Sequence, residues 1–423
     1  MNELVVDANN LSCVGNTTYS FVTGNKHDII KTIKKLKDNF NIDCLTEDLH
    51  IPTIFWNPKL HKIPYKARFI AGARRCVTKE LAIKINKGVE VLKSSFIKYC
   101  KSVLQRTGIN FNWSINSSIE FLDRIKSLEI WSMQVYDFST LYTNLNLNDV
   151  ENSLFGLCNL LFSPRSKYIC INTYKAFFSI KKYNNFSCFD INLFKKAISF
   201  ILNNTYVSFG GFVLKQTKGI PMGGSCSSPI ADLYLSFKEF TFMKKLLKEK
   251  KFHLAKLLSN NNRYVDDIII INYKMFNNRA NEIYPVDLLL ERSGEDEKNI
   301  AYLDVKIKIN EDGINTSLYN KVDDFDFTVV TFTFPESNVP IQLGYNVFFG
   351  QVLRYAKIFS RKQDFLRKAA ELLQIFAVRG YKHHILFNRF KRLLHSYNFI
   401  LYKFGLKDSD EAVEEFRNYT TTV

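Results

Sequence analysis

The sequence has no CxxC pair and no cluster of cysteine and histidine at zinc-ligand spacing. Its eight cysteines (Cys13, Cys44, Cys76, Cys100, Cys158, Cys170, Cys188 and Cys226) are widely scattered. That distribution argues against both a disulfide scaffold and a structural zinc, and leaves the reduced thiols of an intracellular protein as the simplest reading. No run of about 20 apolar residues is present, so no membrane span is expected. The N-terminal MNELVVDANN has neither the basic n-region nor the long apolar core of a signal peptide. There is no internal repeat and no low-complexity linker. The glycine-rich segment around Gly219–Gly224 is not followed by GK[ST], which argues against a P-loop ATPase.

What is abundant is positive charge. Lys and Arg number 58 against 41 Asp and Glu, a formal charge of +17 with a pI near 9.3. Such an excess favours a polyanionic partner, nucleic acid ahead of a membrane surface. Hydrophobic residues make up 46 % and aromatics 14 % of 423 residues, enough for a large core and two or three lobes. Apolar positions three and four apart predict helices in HDIIKTIKKLKDNF, in residues 79–105, in LFKKAISFILNN and over residues 228–251. Residues 51–73 alternate Pro-punctuated extended pieces, and 205–216 reads as a hairpin with Gly210-Gly211 at its tip. A second hairpin is expected over 300–321, turning at Asp312-Gly313. The last 80 or so residues read as a basic helical bundle. The expected class is α+β with a helical C-terminal lobe.

Three segments carry chemistry. RYVDDIIII (263–271) sets two carboxylates inside an apolar strand, where a lone buried charge would cost several kcal/mol. A plain hairpin turn and a metal site displayed on a hairpin both account for it. Asp137 in VYDFSTLYTNL ends a strand; by itself it reads as a turn or helix N-cap residue. KQTKGIPMGGSCSSPIADLYL (215–235) opens a helix with Gly219, Gly223 and Gly224, and serves equally as a tight turn or as a place where backbone approaches an anion. Two acids on neighbouring strands would suit a pair of divalent cations about 3.5–4 Å apart.

Taken jointly, VYDFSTLYTNL, QTKGIPMGGSCSSPIADLYL and YVDD resemble motifs A, B and C of reverse transcriptases, in order. PKLHK and KARFI resemble the fingers motifs, AYLDVKI with DGINTSLYNK the primer-grip hairpin, and GQVLRYAKI with VRGY the thumb of Penelope-like retroelements, a branch related to telomerase. The resemblance covers roughly residues 50–400. It implies a right-hand polymerase fold, with an N-terminal extension (1–50), fingers and an antiparallel palm with helices (51–330) and a helical thumb (331–423). The implied activity is RNA-directed DNA polymerisation on an RNA template with a DNA primer and dNTPs. The implied cofactor is a pair of Mg2+ ions, for which Mn2+ can substitute. Asp137, Asp266 and Asp267 would be the catalytic acids, with Asp137, Asp266 and the carbonyl of Phe138 as direct metal ligands. Arg68, Lys59, Lys62, Gly223 and Tyr142 would meet the incoming nucleotide. Tyr142, five positions after Asp137, stands where an aromatic under the sugar excludes a 2′-OH. Gln216, Met222, Leu303, Asp304, Arg354 and Arg361 would contact template–primer, with Lys357, Lys362, Arg367 and Lys368 as further backbone grips; a solvated basic face accounts for these charges equally well.

Three departures stand out. Met222 occupies a position where many reverse transcriptases carry Gln, and Phe69 stands where Pro often follows the fingers arginine. The GIY-YIG endonuclease common in Penelope-like elements does not follow the thumb motifs here, which is what an endonuclease-lacking type, a truncated copy or a fragment would each give. A chromosomal-insertion lifestyle would imply a nuclear location. Two rivals remain open at this point: an RNA-dependent RNA polymerase, against which Tyr142 argues, and an inactive or domesticated copy that binds RNA or hybrid.

Overall fold

The structure is a computed structural model and describes residues 18–40, 49–59, 66–325, 327 and 329–422. The chain divides into two compact units, and the division is not linear. One unit holds residues 1–114 and 136–293, the other residues 115–135 and 294–423. This differs from the expected boundaries at 50 and 330. A short excursion (115–135) leaves the first unit, and the second begins again at Gly294 rather than after the hairpins.

The described strands of the first unit are β1 (Tyr19–Phe21), β2 (Thr53–Lys59), β3 (Lys66–Gly72), β4 (Met133–Phe138, entering from the second unit), β5 (Tyr168–Ile171), β6 (Ala176–Ser179), β7 (Ser187–Phe189), β8 (Tyr206–Phe209), β9 (Phe212–Gln216), β10 (Asn262–Tyr264), β11 (Asp267–Ile271) and β12 (Leu290–Arg292). They form sheets of order β1-β9-β8-β2-β3, β10-β11-β4-β12 and β6-β5-β7. The β8–β9 hairpin turns at Gly210-Gly211 as expected. Both glycines have positive φ (57° and 87°), the conformation a two-residue I′ turn demands.

Two helices organise this unit's core. Lys79–Thr107 buries Leu81, Ile85, Leu92, Phe96 and Val103 along one stripe, the period its sequence predicts. Ser227–Lys248 is buried nearly all round over Ile230–Ser236, so it runs through the interior and not over it. Burying a side chain such as Phe96 or Leu235 contributes about 1.5–3 kcal/mol, and both join one continuous cluster with Tyr136, Phe138 and Ile268. The acidic strands therefore rest on the largest core among the described residues.

In the second unit β13 (Asn299–Tyr302), β14 (Val305–Asn310) and β15 (Gly313–Leu318) form an antiparallel meander. Asn310 pairs with Gly313, so Glu311 and Asp312 make the turn. The expected Asp312-Gly313 turn lies one residue late, because Gly313 spends its positive φ (117°) on the first strand position. Helices Ile341–Ile358, Lys362–Val378, His383–Ser396 and Ser409–Thr422 pack around Phe348, Phe365, Phe376, Phe390 and Phe416. No helix among the described residues is long and apolar enough to cross a membrane.

Candidate active site

β11 and β4 lie side by side at the centre of their sheet. Ile268–Ile271 of β11 and Met133, Val135 and Tyr136 of β4 are buried, whereas Asp137, Asp266 and Asp267 are half-buried. The strands are thus fixed by apolar packing and release their carboxylates only at one end. Asp266 is the second residue of the β10–β11 turn, which Tyr264 and Asp267 close as a pair. Its predecessor Val265 has φ +54°, a left-handed conformation that is a clear outlier for a β-branched residue. The amide of Phe138 donates to the carbonyl of Asp266 at 3.3 Å, tying the turn to the strand that carries Asp137. The Phe138 ring packs edge-on against Tyr284 at 5.0 Å.

The glycine-rich segment folds onto this pair. Gly219 donates to the Leu145 carbonyl (2.7 Å), Ile220 to that of Tyr142 (2.8 Å), and the Met222 carbonyl accepts from Ala71 on β3 (2.8 Å). At Gly219 (φ +79°) a Cβ would stand 2.3 Å from the Tyr142 carbonyl oxygen, and at Gly223 (φ +98°) 2.6 Å from that of Ala71. Both positions require glycine for conformation and for space. The loop therefore joins the strand carrying Arg68 to the helical turn Leu141–Asn144 carrying Tyr142. Burial pushes the Tyr142 phenol above its ordinary pKa; the nearby Asp266 and Asp232 charges add to the rise, while a hydrogen bond with Ser228 and the Arg68 charge oppose it. Tyr142, Asp266 and Arg68 thus share one electrostatic neighbourhood.

Among the described residues, no three His, Cys, Asp or Glu side chains are arranged to hold a metal ion by themselves. Two half-buried carboxylates on adjacent strands instead match what Mg2+ takes, one or two protein carboxylates completed by substrate phosphates and water.

No protein-family profile matches the sequence, and no curated protein matches it. The structure of telomerase from Candida albicans in complex with the TWJ fragment of telomeric RNA superposes with a TM-score of 0.55 at 12 % identity, over 92 % of this chain and 67 % of that one. In fold, this chain is similar to a telomerase. Telomerase structures from Candida tropicalis, apo and with the TWJ fragment, align at TM-scores of 0.44 and 0.45, with 14 % and 13 % identity, over 96 % and 100 % of this chain and 72 % and 64 % of those.

Within this telomerase-like fold the remaining expected residues divide. Arg68 is exposed on β3, opposite Asn57 of β2. Lys59 ends β2, paired in register with Lys66. Lys62 lies outside the described residues. Gln216, expected at the template–primer surface, is 1 % exposed; its Nε2 donates to the Lys218 carbonyl at 3.1 Å. It shares its strand face with Leu214, which is also buried. Met222 is half-buried and Gly223 exposed. In the second unit Leu303 turns β13 into β14 with φ +56°, and the neighbouring Asp304 accepts from Arg354 Nε at 2.7 Å. These two residues, both expected to face nucleic acid, hold each other. Arg361 is exposed, 3.3 Å from Asn315, and Lys357 is exposed. Lys362, Arg367 and Lys368 pair with Glu415 (2.6 Å), Asp364 (3.1 Å) and Glu371 (2.8 Å), which lowers the net charge of that surface.

Two features of the site escaped the sequence reading. Glu291 on β12 stands directly opposite Asp137. Arg263, fully buried, donates to Asp232 (2.7 Å), Ser236 (2.8 Å) and Glu239 (2.5 Å), while Lys93 pairs with Asp232 at 2.8 Å. The available signal was Asp232 and Glu239, two turns apart and the only acids in the helix Ser227–Lys248, with an arginine directly before YVDD.

Proposed function

We propose that this chain is an RNA-directed DNA polymerase, a reverse transcriptase of the Penelope-like, telomerase-related type. On this reading the first unit supplies fingers and palm, and the helices of the second supply the thumb. The observation that carries it is the hydrogen bond from the Phe138 amide to the Asp266 carbonyl, which sets the turn bearing Asp266 against the strand bearing Asp137, with Tyr142 and Arg68 in the electrostatic neighbourhood of Asp266. The telomerase-like fold supports it.

Asp137 and Asp266, with the carbonyl of Phe138, would hold Mg2+; when bound, the ion supplies charge neutralisation and a more acidic primer hydroxyl. The primer 3′-hydroxyl gives its proton to water, its oxygen forms a bond to the α-phosphorus of the dNTP, the bond from that phosphorus to the bridging oxygen of the β-phosphate breaks, and pyrophosphate leaves with the negative charge. Arg68 meets the triphosphate with charge-assisted hydrogen bonds. Tyr142 sets the floor under the sugar and leaves no room for a 2′-OH. Gly223, having no side chain, lets backbone approach the nucleotide. The carboxylates are held by packing, so most of the rate comes from positioning and charge stabilisation. The excess of basic residues would bind the RNA template and DNA primer through their phosphates, with affinity falling as salt rises.

The test is primer extension on an RNA template with Mg2+, supplying dNTPs and NTPs in parallel. Extension by dNTPs, lost in Asp266→Ala, is expected. Extension by NTPs alone would make the protein an RNA polymerase. Absence of any extension with hybrid binding retained would overturn the enzyme assignment.

A further inference from the structure

The turn that carries Asp266 is built on a residue that resists it. Valine at φ +54° is strained relative to an ordinary conformation, and such a conformation persists only where the surroundings over-determine it. One hydrogen bond addresses it directly: Arg263 Nη1 donates to the carbonyl oxygen of Val265 at 2.9 Å. That oxygen belongs to the peptide plane immediately before Asp266. The plane immediately after is held by the Phe138 amide on the Asp266 carbonyl. Fixing both planes fixes the direction of the Asp266 Cα–Cβ bond.

Arg263 is able to act as a fixed point because it is itself immobilised. Its guanidinium is wholly buried and also engages Asp232, Ser236 and Glu239. Asp232 in turn takes Lys93 (2.8 Å) and the Ser114 hydroxyl (3.1 Å), and Glu239 takes the Tyr284 hydroxyl (2.8 Å). Two cationic side chains face two carboxyls, so the guanidinium is matched within the cluster. A lysine at this position would carry the charge but only three donors from one nitrogen, and could not serve these partners together with Val265.

We infer that Arg263 is a positioning residue for the acidic turn: by holding the Val265 carbonyl it maintains the left-handed turn and thereby aims the Asp266 carboxylate. The catalytic consequence rests on the polymerase reading; the conformational one does not. The discriminating partner is Val265→Gly, because glycine adopts positive φ without strain and no longer needs to be held. A role of Arg263 confined to balancing buried charge would be indifferent to that change.

The experiment compares the wild type, Arg263→Lys, Val265→Gly and the double variant in primer extension, Mg2+ half-saturation, primer–template Kd and thermal unfolding. Arg263→Lys is expected to lower kcat about tenfold or more and raise the Mg2+ half-saturation, with primer–template Kd unchanged. Adding Val265→Gly to it is expected to recover at least threefold in kcat, although Val265→Gly alone changes little. Losses that simply multiply, or an Arg263→Lys enzyme with wild-type kcat, would overturn the inference. Glu239→Gln, which loosens Arg263 without removing it, replaces Arg263→Lys if that variant does not fold. Should the wild type extend no primer, the polymerase reading fails alone. The same four proteins then decide the turn by thermal unfolding, where Arg263→Lys must lower Tm less in the Val265→Gly background.

Discussion

Replacing Gly219 by alanine offers a quantitative check on how the glycine-rich loop is seated, because Gly211 provides a matched control. Both residues have positive φ, 79° and 87°, so alanine at either position meets the same left-handed backbone, at about 1–2 kcal/mol. Their surroundings differ completely. A Cβ on Gly211 has nothing within 4 Å, whereas on Gly219 it would lie 2.3 Å from the Tyr142 carbonyl oxygen and 2.8 Å from the Thr143 Cα. All the offending atoms are backbone, so no rotamer change relieves the contact, and loop and helical turn must separate by about 1 Å. Shifts of that kind typically cost a further 1–3 kcal/mol or so, giving about 2–5 kcal/mol in total for Gly219→Ala. With a urea m-value of about 2–3 kcal/mol/M, its unfolding midpoint should fall about 0.3–1.5 M below that of Gly211→Ala. Because Ile220 bonds to the same Tyr142 carbonyl, Gly219→Ala should also shift the ratio of dNTP to NTP incorporation, which Gly211→Ala should leave alone. Equal midpoints for the two variants would refute the seating of this loop on the Tyr142 turn.

Other outcomes follow from the same geometry. Tyr142→Val should raise NTP incorporation relative to dNTP by about tenfold or more, the scale at which pocket volume discriminates, as read in competition assays; an unchanged ratio would remove Tyr142 from sugar selection. Burial pushes the Asp232 carboxyl up, but the Arg263 and Lys93 charges and their hydrogen bonds outweigh it and hold the group below its ordinary range. Its ionised form therefore stabilises the fold above the unfolded carboxyl pKa of about 4, and that contribution fades as pH falls through the lower folded value. Asp232→Asn should accordingly lose about 3–5 kcal/mol at pH 7, with the gap to wild type narrowing below about pH 4 in urea titrations. Burial pushes the Cys100, Cys158 and Cys226 thiols up to about 12, so they should resist alkylation at pH 8 in the native protein and react once it is unfolded. Cys170 and Cys188 face each other across β5 and β7 with sulfurs 2.9 Å apart; diamide treatment should join them, as peptide mapping without reductant would show.

Much of this architecture is legible without coordinates, for reasons of period and punctuation. The helix Lys79–Thr107 announces itself by apolar residues every three to four positions, and Gly210-Gly211 marks a turn that only glycine makes easily. The joint occurrence of VYD, GIPMGG and YVDD indicates one site, because each segment alone has an ordinary explanation and the three together do not. What stays hidden is whatever depends on partners distant in sequence. The cluster of Lys93, Asp232, Glu239 and Arg263 joins residues up to 170 positions apart, and charged residues read from sequence look like surface. Gln216 is of the same kind: the resemblance implies a template–primer contact there, while its side chain is 1 % exposed. The strain at Val265 is invisible too, since nothing in a tyrosine–valine–aspartate run asks for a left-handed residue.

The discontinuous second unit has a consequence for how the chain is made. The helix Ser118–Ile125 buries Phe121, Leu122 and Ile125, and Phe121 meets Tyr302 edge-on at 5.0 Å. Tyr302 emerges roughly 180 residues later, a wait of about 10–40 s at synthesis rates of about 5–20 residues per second. During that interval an amphipathic helix must trail from the ribosome with its sticky stripe uncovered, while the acidic hairpin is still being translated. Newborn chains would therefore offer chaperones a defined client segment, and a stalled or truncated transcript ending before Gly294 would leave that segment permanently orphaned.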